Sequence, residues 1–116
     1  MRLSEHIILE TPDFVVVNKP SGMLTLPDRH DNELTSLIAI MKKAYGEIFT
    51  VHRLDRETSG IILFARNEAA HKYFSQLFES RDVKKFYLGL VSGQPMQKQG
   101  NVSEGIWNTR YKKVRW

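Results

Sequence analysis

Cysteine is absent from the 116-residue chain. Its absence excludes disulfide bonds and thiolate metal sites, and it suits a reducing compartment such as the cytosol. The other metal-binding candidates are four histidines, which are scattered with none of the spacings typical of metal ligands: His6, His30, His52 and His71. The sequence therefore predicts no metal site.

Long apolar runs are also lacking. No stretch approaches the roughly 20 apolar residues that a membrane-spanning helix needs. The first residues, Met1 to His6, become polar at once, so they lack the hydrophobic region of a signal peptide. We therefore expect a cytoplasmic protein that has no membrane partner.

The composition is that of a folded domain with an excess of positive charge. Hydrophobic residues make up 41% of the chain and charged residues 26%, and this length suits a single domain with a modest core. Lys and Arg outnumber Asp and Glu by 17 to 13, which gives a formal net charge of +4. A basic domain is compatible with nucleic acid, but charge alone does not establish that partner.

The most informative segment is a polar run of nine residues, His52–Gly60, with the sequence HRLDRETSG. The apolar run Ile61–Ala65 follows directly and is typical of a buried strand, so we expect the polar segment to be a loop held at the strand end. Asp55 lies between Arg53 and Arg56, whose charges favour the ionised carboxylate. Asp55 is therefore a candidate nucleophile, base or anionic stabiliser. The alternative is a surface turn in which Asp55 pairs with one of the two arginines.

Three segments carry a family resemblance. The HRLD-x-x-TSG pattern of residues 52–60 follows an NKPSG sequence at Asn18–Gly22 and precedes an R-x-V-x-K-x-Y pattern that begins at Arg81. In this order they resemble the signature loop, the early turn and a later strand of the RluA-type RNA pseudouridine synthases. The resemblance extends from about Phe14 to Gly93, and the ordered trio is far more specific than a single motif.

The resemblance implies an enzyme that isomerises specific uridines in structured RNA to pseudouridine. Such an enzyme breaks the N-glycosidic bond, turns the base and rejoins it through carbon, with no metal and no organic cofactor. The implied partner is transfer RNA, ribosomal RNA or both. The essential aspartate of the family falls on Asp55. Whether this carboxylate attacks the sugar or the base, or removes a ribose proton, stays open at the level of the sequence.

The resemblance also implies substrate-binding roles for residues around Asp55. Arg53 is expected to help fill the space that the target uridine leaves when it is flipped out of the RNA. Tyr87 matches the active-site tyrosine that stacks on uracil, although an ordinary strand tyrosine is the more common case on pattern alone. His52 is expected to orient the site or face the RNA, and Arg56 to contact it. Thr58 is expected to fix the loop through hydrogen bonds to the backbone.

Hydrophobic periodicity predicts an α/β (α+β) domain, with a mixed, largely antiparallel sheet flanked by two helices. Period-two patterns and turn signals predict five strands: His6–Glu10, Phe14–Asn18, Ile48–Val51, Gly60–Ala65 and Val83–Val91. Helical spacing predicts two helices with capping residues: Leu34–Tyr45, capped by Asp31 or Asn32, and Glu68–Ser80, capped by Asn67. The aromatic stripe of the second helix, which includes Tyr73 and Phe74, fits core packing better than base stacking.

The last part of the chain consists of a polar stretch and a basic segment, and the basic segment allows two interpretations. Residues 94–105 are polar and rich in turn formers, which predicts a loop. Thr109–Trp116 interleaves four basic residues with Tyr111, Val114 and Trp116. Such a segment can bind RNA through phosphate contacts and stacking, or it can form an edge strand whose lysines discourage aggregation. The edge strand is slightly favoured.

The family pattern continues with arginine-bearing strands that complete the pocket and supply a basic partner for the aspartate. This sequence contains no such run, so we expect residues 1–116 to be the N-terminal half of a catalytic domain, with no S4-type RNA-binding domain. Two functions follow from this expectation. One is a uridine isomerase that is complete only with the second half, and the other is a non-catalytic RNA-binding or assembly fragment. An unfinished sheet edge also predicts self-association.

Overall fold

The computed structural model describes residues 1–28, 35–94, 99–101, 106–108 and 112–114. The chain forms two units, Met1–Lys85 and Phe86–Trp116, each of which is considered by itself. The first unit contains a four-stranded antiparallel sheet and two helices, and the second contains a two-stranded antiparallel sheet. This architecture confirms the predicted α/β (α+β) class.

The sheet of the first unit has the strand order β1-β2-β4-β3. Its strands are β1 (Ile7–Glu10), β2 (Phe14–Lys19), β3 (Phe49–Thr50) and β4 (Gly60–Ala65), and all three pairings are antiparallel. The first two form the predicted hairpin around Thr11, whose hydroxyl accepts from the amide of Phe14. Four of the five predicted strands are thus confirmed, with β3 shorter than expected.

Alternation along β2 and β4 gives the sheet one fully buried face. Val15, Val17 and Lys19 of β2 and Ile62 and Phe64 of β4 have no exposed side-chain surface. They pack against apolar side chains from the first helix and the flanking loops: Leu37, Ile38, Met41, Ile48 and Leu54. Lys19 differs from the other buried side chains because it is charged. It occupies the next inward position of β2 after Val15 and Val17.

The first helix, α1, covers Leu37–Tyr45 and is shorter than predicted. Ser36 is its N-cap, because the backbone there is extended and the hydroxyl accepts from the amide of Ala39 at 3.3 Å. The amides of the first two helical residues donate to the carbonyls of Leu24 and Thr25. These loop contacts hold the preceding chain extended, so the helix begins only at Leu37. The predicted start and caps, Leu34, Asp31 and Asn32, lie outside the described residues.

The second helix, α2, covers Glu68–Glu79 and confirms the predicted cap. The Asn67 side chain accepts from the amide of Ala70 at 2.8 Å. The helix packs on the second sheet face, where Phe74 meets Phe14 edge to face at 5.5 Å between ring centroids. Tyr73 differs from the expectation, since 60% of it is exposed. The aromatic stripe is therefore only partly a core stripe.

The predicted strand over Val83–Val91 is wrong. The segment forms neither a helix nor a strand, and Phe86, Leu88 and Leu90 are almost completely exposed. A strand exists only where a neighbouring strand pairs its backbone groups, and none of the described strands pairs with this segment. The segment has the apolar alternation of a strand, but it lacks a pairing strand among those described.

The second unit contains β5 (Ile106–Asn108) and β6 (Lys112–Val114), which pair antiparallel. The strand predicted within Thr109–Trp116 is confirmed for Lys112–Val114, and its other residues lie outside the described part of the chain. Of residues 94–105, the described positions 94 and 99–101 contain neither helix nor strand. In the described part of the chain, no helix combines the length and apolarity needed to cross a membrane.

Candidate active site

The polar segment before β4 forms a loop whose backbone is tied to the core at Leu54. The Thr25 hydroxyl donates to the Leu54 carbonyl at 2.8 Å and accepts from the Leu54 amide at 3.2 Å. Both residues are buried. Because one hydroxyl satisfies both backbone groups, the residue directly before Asp55 is held in a single position.

Lys19 holds the same loop from the end of β2. Its buried ammonium group donates to the carbonyls of Met23 at 2.7 Å, Pro20 at 3.0 Å and Arg56 at 3.1 Å. These three bonds use all the donors that an ammonium group has. Burial lowers the pKa of Lys19, and the negative charges of Glu57 and Asp55 act in the opposite direction. Lys19 thus shapes the site by donating hydrogen bonds to backbone oxygens.

The NKPSG turn makes three further contacts with the loop. The Ser21 hydroxyl donates to the Glu57 carbonyl at 2.6 Å, and the Gly22 amide donates to the Arg56 carbonyl at 2.7 Å. In return, the Arg56 side chain donates from Nε to the Gly22 carbonyl at 3.3 Å. Gly22 has a φ of +91°, a conformation that disfavours other residues. Two of the three motifs that carry the family resemblance are therefore joined into one structure.

Thr58 closes the turn that carries Asp55. The Thr58 amide donates to the Asp55 carbonyl at 3.1 Å. The expectation that Thr58 fixes the loop is supported by this contact, although the donor is its backbone and not its hydroxyl. The carbonyl oxygens of four successive residues, Leu54 to Glu57, thus all accept hydrogen bonds.

Asp55 lines a cavity of about 530 Å³ at the surface of this loop. Arg53 and Arg56 line the same cavity, as do Pro27 and Asp28 from the opposite loop. A cavity of this volume lies within the ordinary range for small-molecule sites. Asp55 and the two arginines therefore line one shared space.

Asp55 does not pair with either neighbouring arginine. Within the described part of the chain, no ion pair joins Asp55 to Arg53 or to Arg56. The alternative interpretation of the loop, a surface turn closed by an Asp55–arginine pair, is therefore wrong. A carboxylate fixed through its backbone beside unneutralised arginine charge defines a class of site suited to a polyanionic substrate.

His52 lies away from this cavity and faces α2. Its Nε2 accepts from the amide of Leu63 at 3.0 Å, and its ring stacks on Phe78 at 4.5 Å between centroids. Burial, followed by the nearby charge of Lys85, lowers the pKa of His52 to about 4. The ring is thus neutral at neutral pH and joins the loop to β4 and α2. This placement favours the orienting role predicted for His52, and a contact with RNA stays a prediction.

Tyr87 belongs to the second unit and is 66% exposed. The stacking of its ring on uracil stays a prediction. Lys85, which precedes the unit boundary, places its ammonium group 5.4 Å from the centroid of the Phe78 ring. Lys85 therefore supports the ring on which His52 stacks.

Sequence reasoning did not identify Thr25 as a site residue. No local pattern distinguishes this threonine, because its partner Leu54 is 29 residues away. Lys19 had a readable signal, namely a lysine at the inward position that continues Val15 and Val17. No group of three or more metal-ligating side chains is arranged to hold a metal within the described residues.

The family follows from comparison with known proteins. Residues 13–115 match the family model described as RNA pseudouridylate synthase. The match covers most of the chain, so this protein belongs to the RNA pseudouridylate synthase family. The resemblance inferred from the three motifs is thereby confirmed.

Two curated relatives and one solved structure give the scale of the similarity. The dual-specificity RNA pseudouridine synthase RluA of Pasteurella multocida is 41% identical over 90 residues, which cover 78% of this chain and 41% of the relative. The enzyme of the same name from Escherichia coli strain K12 is 36% identical over 96 residues, covering 83% and 44% respectively. The human RNA pseudouridylate synthase domain containing 4 shares the fold with a TM-score of 0.56 and 24% identity, covering 69% of this chain and 31% of that one. The chain thus spans less than half the length of the curated relatives.

Proposed function

We propose that the protein carrying this chain isomerises uridine in structured RNA to pseudouridine, and that Asp55 is its essential residue. The observation that supports this proposal is the position of Asp55, fixed through its backbone in a cavity with Arg53 and Arg56 and paired with neither. Membership of the RNA pseudouridylate synthase family supports the reaction. The curated relatives named above carry the same activity in their names.

The reaction is an isomerisation, so its atoms balance within the nucleotide. The bond from the ribose C1′ to N1 of uracil breaks, and a bond from C1′ to C5 forms. The proton at C5 is lost and N1 gains one. Asp55 serves as the nucleophile or the base of this reaction. Each role needs an ionised carboxylate held against the nucleotide. The hydrogen bonds that the carbonyls of Leu54 to Glu57 accept hold the loop in place. They thereby position Asp55.

We propose different roles for Arg53 and Arg56. A uridine inside a helix or a stacked loop has to be flipped out before any residue reaches it, at a cost of a few kcal/mol. Arg53 supports the flipped state by filling the vacated space with its planar cation, and Arg56 binds phosphate. Tyr87 is proposed to stack on the uracil, and His52 to orient the loop. We also propose transfer or ribosomal RNA as the substrate and a cytoplasmic location, where both RNAs are available.

The proposal is tested with Asp55→Asn. The variant is expected to abolish pseudouridine formation while leaving RNA affinity within a few fold, because phosphate contacts supply most of the affinity. Pseudouridine has the same mass as uridine, so the two nucleosides of the digested RNA are separated by liquid chromatography and then quantified. Glu79→Gln on the exposed end of α2 is the matched control. Near-wild-type turnover by Asp55→Asn would refute the assignment. RNA binding without any pseudouridine from the wild type would favour the second candidate, a non-catalytic RNA-binding or assembly role.

Self-association through a sheet edge is the remaining proposal about partners. Among the described strands, β1 pairs with β2 on one side only. Ile8 and Leu9 on this edge strand are about half exposed, at 55% and 49%. An apolar edge with free backbone groups is a template for pairing with another chain. This arrangement supports association between copies of the chain.

A further inference from the structure

A second cavity adjoins the one that contains Asp55. It has a volume of about 320 Å³ and lies along the NKPSG turn, where Pro20, Met23 and Leu24 form apolar walls and Thr35 stands at another side. Leu24 and Arg56 line both cavities. The two spaces are therefore neighbours that share a wall made by one apolar and one cationic side chain.

Arg56 is held at this shared wall by its own backbone and side chain. Its carbonyl accepts from Lys19 and from the Gly22 amide, and its Nε donates to the Gly22 carbonyl. These contacts leave the charge of the guanidinium unneutralised, since within the described residues the single ion pair is between Arg2 and Glu5. A fixed, planar cation between two cavities suits an anion that lies between two ligand groups.

The two cavities differ in chemistry. The first contains Asp55, Arg53 and Glu57 and is polar, whereas the second is largely apolar with hydroxyls at its margin. An apolar slot accepts the face of a nucleobase without regard to its identity, because every base has a π-face. Consecutive nucleotides are joined by one phosphate, which is the group expected at a cation on the boundary.

We propose that the second cavity binds the base of the nucleotide adjacent to the target uridine, and that Arg56 binds the phosphate that joins the two nucleotides. This inference rests on the proposed function, since it takes the first cavity as the site of the uridine. It assigns to the NKPSG turn a direct contact with RNA, in addition to its contacts with the loop. The ligand class is a single-stranded dinucleotide step with an unstacked base on either side of the phosphate.

The test uses the protein carrying the full chain and an RNA hairpin whose loop holds one uridine flanked by adenosines. Two further hairpins replace the adenosine on one side or the other by an abasic nucleotide. Dissociation constants are measured by fluorescence anisotropy. One of the abasic hairpins is expected to bind about tenfold more weakly than the intact hairpin, because the base loses its contact with the apolar walls of the second cavity. Equal affinity for all three hairpins would overturn the inference.

A protein variant identifies the cavity. Thr35→Trp places a ring at the second cavity and leaves the lining of the first unchanged. Thr35→Trp is expected to weaken binding of the intact hairpin by the same factor as the abasic replacement that lowers the affinity of the wild type. It should have no further effect on the binding of that abasic hairpin. Ala44→Trp, on an exposed position of α1 that lines neither cavity, is the matched control. Thermal unfolding of both variants verifies that they fold, and equal weakening of all hairpins by Thr35→Trp would contradict the assignment.

The outcomes separate this inference from the proposed function. Binding that depends on a flanking base, without any conversion of the uridine by the wild type, would overturn the proposed function and leave the base site standing. Uridine conversion that does not depend on either flanking base would overturn the second cavity alone. Failure of the wild type to bind any of the hairpins would overturn both.

Discussion

The ammonium group of Lys19 donates a hydrogen bond of 3.1 Å to the carbonyl oxygen of Arg56, 37 residues further along the chain. This bond joins the end of β2 to the residue after Asp55. Its two companion bonds, to Pro20 and Met23, hold the turn that follows β2. One buried lysine thus organises two segments that lie far apart in sequence.

Replacing Lys19 by methionine should lower the free energy of unfolding by about 2–4 kcal/mol. The variant keeps the volume of the stem but leaves three carbonyls without their charged donor, and unsatisfied buried groups are costly. Urea denaturation followed by circular dichroism measures the effect. Lys72→Met, the same change at an exposed position of α2, is the control. A loss below about 0.5 kcal/mol, the range of ordinary surface substitutions, would show that the lysine is not what holds the turn.

Arg53→Ala should impair the modification of structured RNA more than any modification of an unstructured oligonucleotide that contains uridine. Flipping costs a few kcal/mol in a stacked context and less in a loose strand, so a residue that assists flipping matters only for the former. Rates of pseudouridine formation on the two substrates give the comparison. Equal losses on both would indicate that Arg53 orients Asp55 instead.

The ring of His52 should titrate with a pKa of about 4 in the folded protein, against an ordinary value of 6.5. The native state therefore holds the ring neutral, while the unfolded chain takes up a proton below pH 6.5. Stability from this group is complete above pH 6.5 and is lost as the pH falls towards 4. NMR titration of the ring protons checks the value, and a His52 pKa above 6 would contradict it.

The variant His52→Gln provides the matching stability measurement. Its side-chain oxygen can accept from the Leu63 amide but has no proton equilibrium in this range. The difference in unfolding free energy between wild type and variant should therefore change between pH 6.5 and 4 in favour of the variant. A difference that stays constant with pH would place the acid sensitivity in other groups.

Leu9→Lys should reduce self-association of the chain. A lysine on an edge strand opposes strand pairing between copies, and Leu9 is half exposed on β1. Sedimentation velocity over a range of protein concentrations measures the effect. Ile61→Lys changes an equally apolar residue on an inner strand, β4, and separates edge pairing from contact between sheet faces. If both variants associate like the wild type, the β1 edge is not the interface.

Local patterns predicted the parts of the fold that local physics decides. The β1–β2 hairpin, β4 and α2 with its Asn67 cap all follow from alternation, turn residues and a capping side chain. The start of α1 was not predictable in the same way, because Leu24 and Thr25 bind its first amides from a distant loop. The strand over Val83–Val91 failed for a related reason, since strand formation depends on a partner that the segment's own sequence does not specify.

The candidate site likewise has features that the local sequence predicts and features that depend on the tertiary structure. The motif around Asp55 identified the carboxylate and its arginines, because residue types and spacing carry that information. The hydrogen bonds from Thr25 to the Leu54 carbonyl and from Lys19 to the Arg56 carbonyl join residues that are 29 and 37 positions apart. Such contacts are properties of the tertiary structure: the pattern of β2 indicates that Lys19 points inward, but it does not indicate which backbone groups Lys19 binds.

The register of β2 against β4 links folding to the assembly of the site. The pairing runs from Phe14 opposite Ala65 to Lys19 opposite Gly60. Gly60 ends the loop that carries Asp55, so the last rung of this ladder is also the position at which both motifs meet. If β2 and β4 paired at every position except this last one, the apolar part of the sheet would form, but the two motifs would stay apart. The last pair of the β2–β4 register, Lys19 opposite Gly60, therefore joins the NKPSG turn to the loop that carries Asp55.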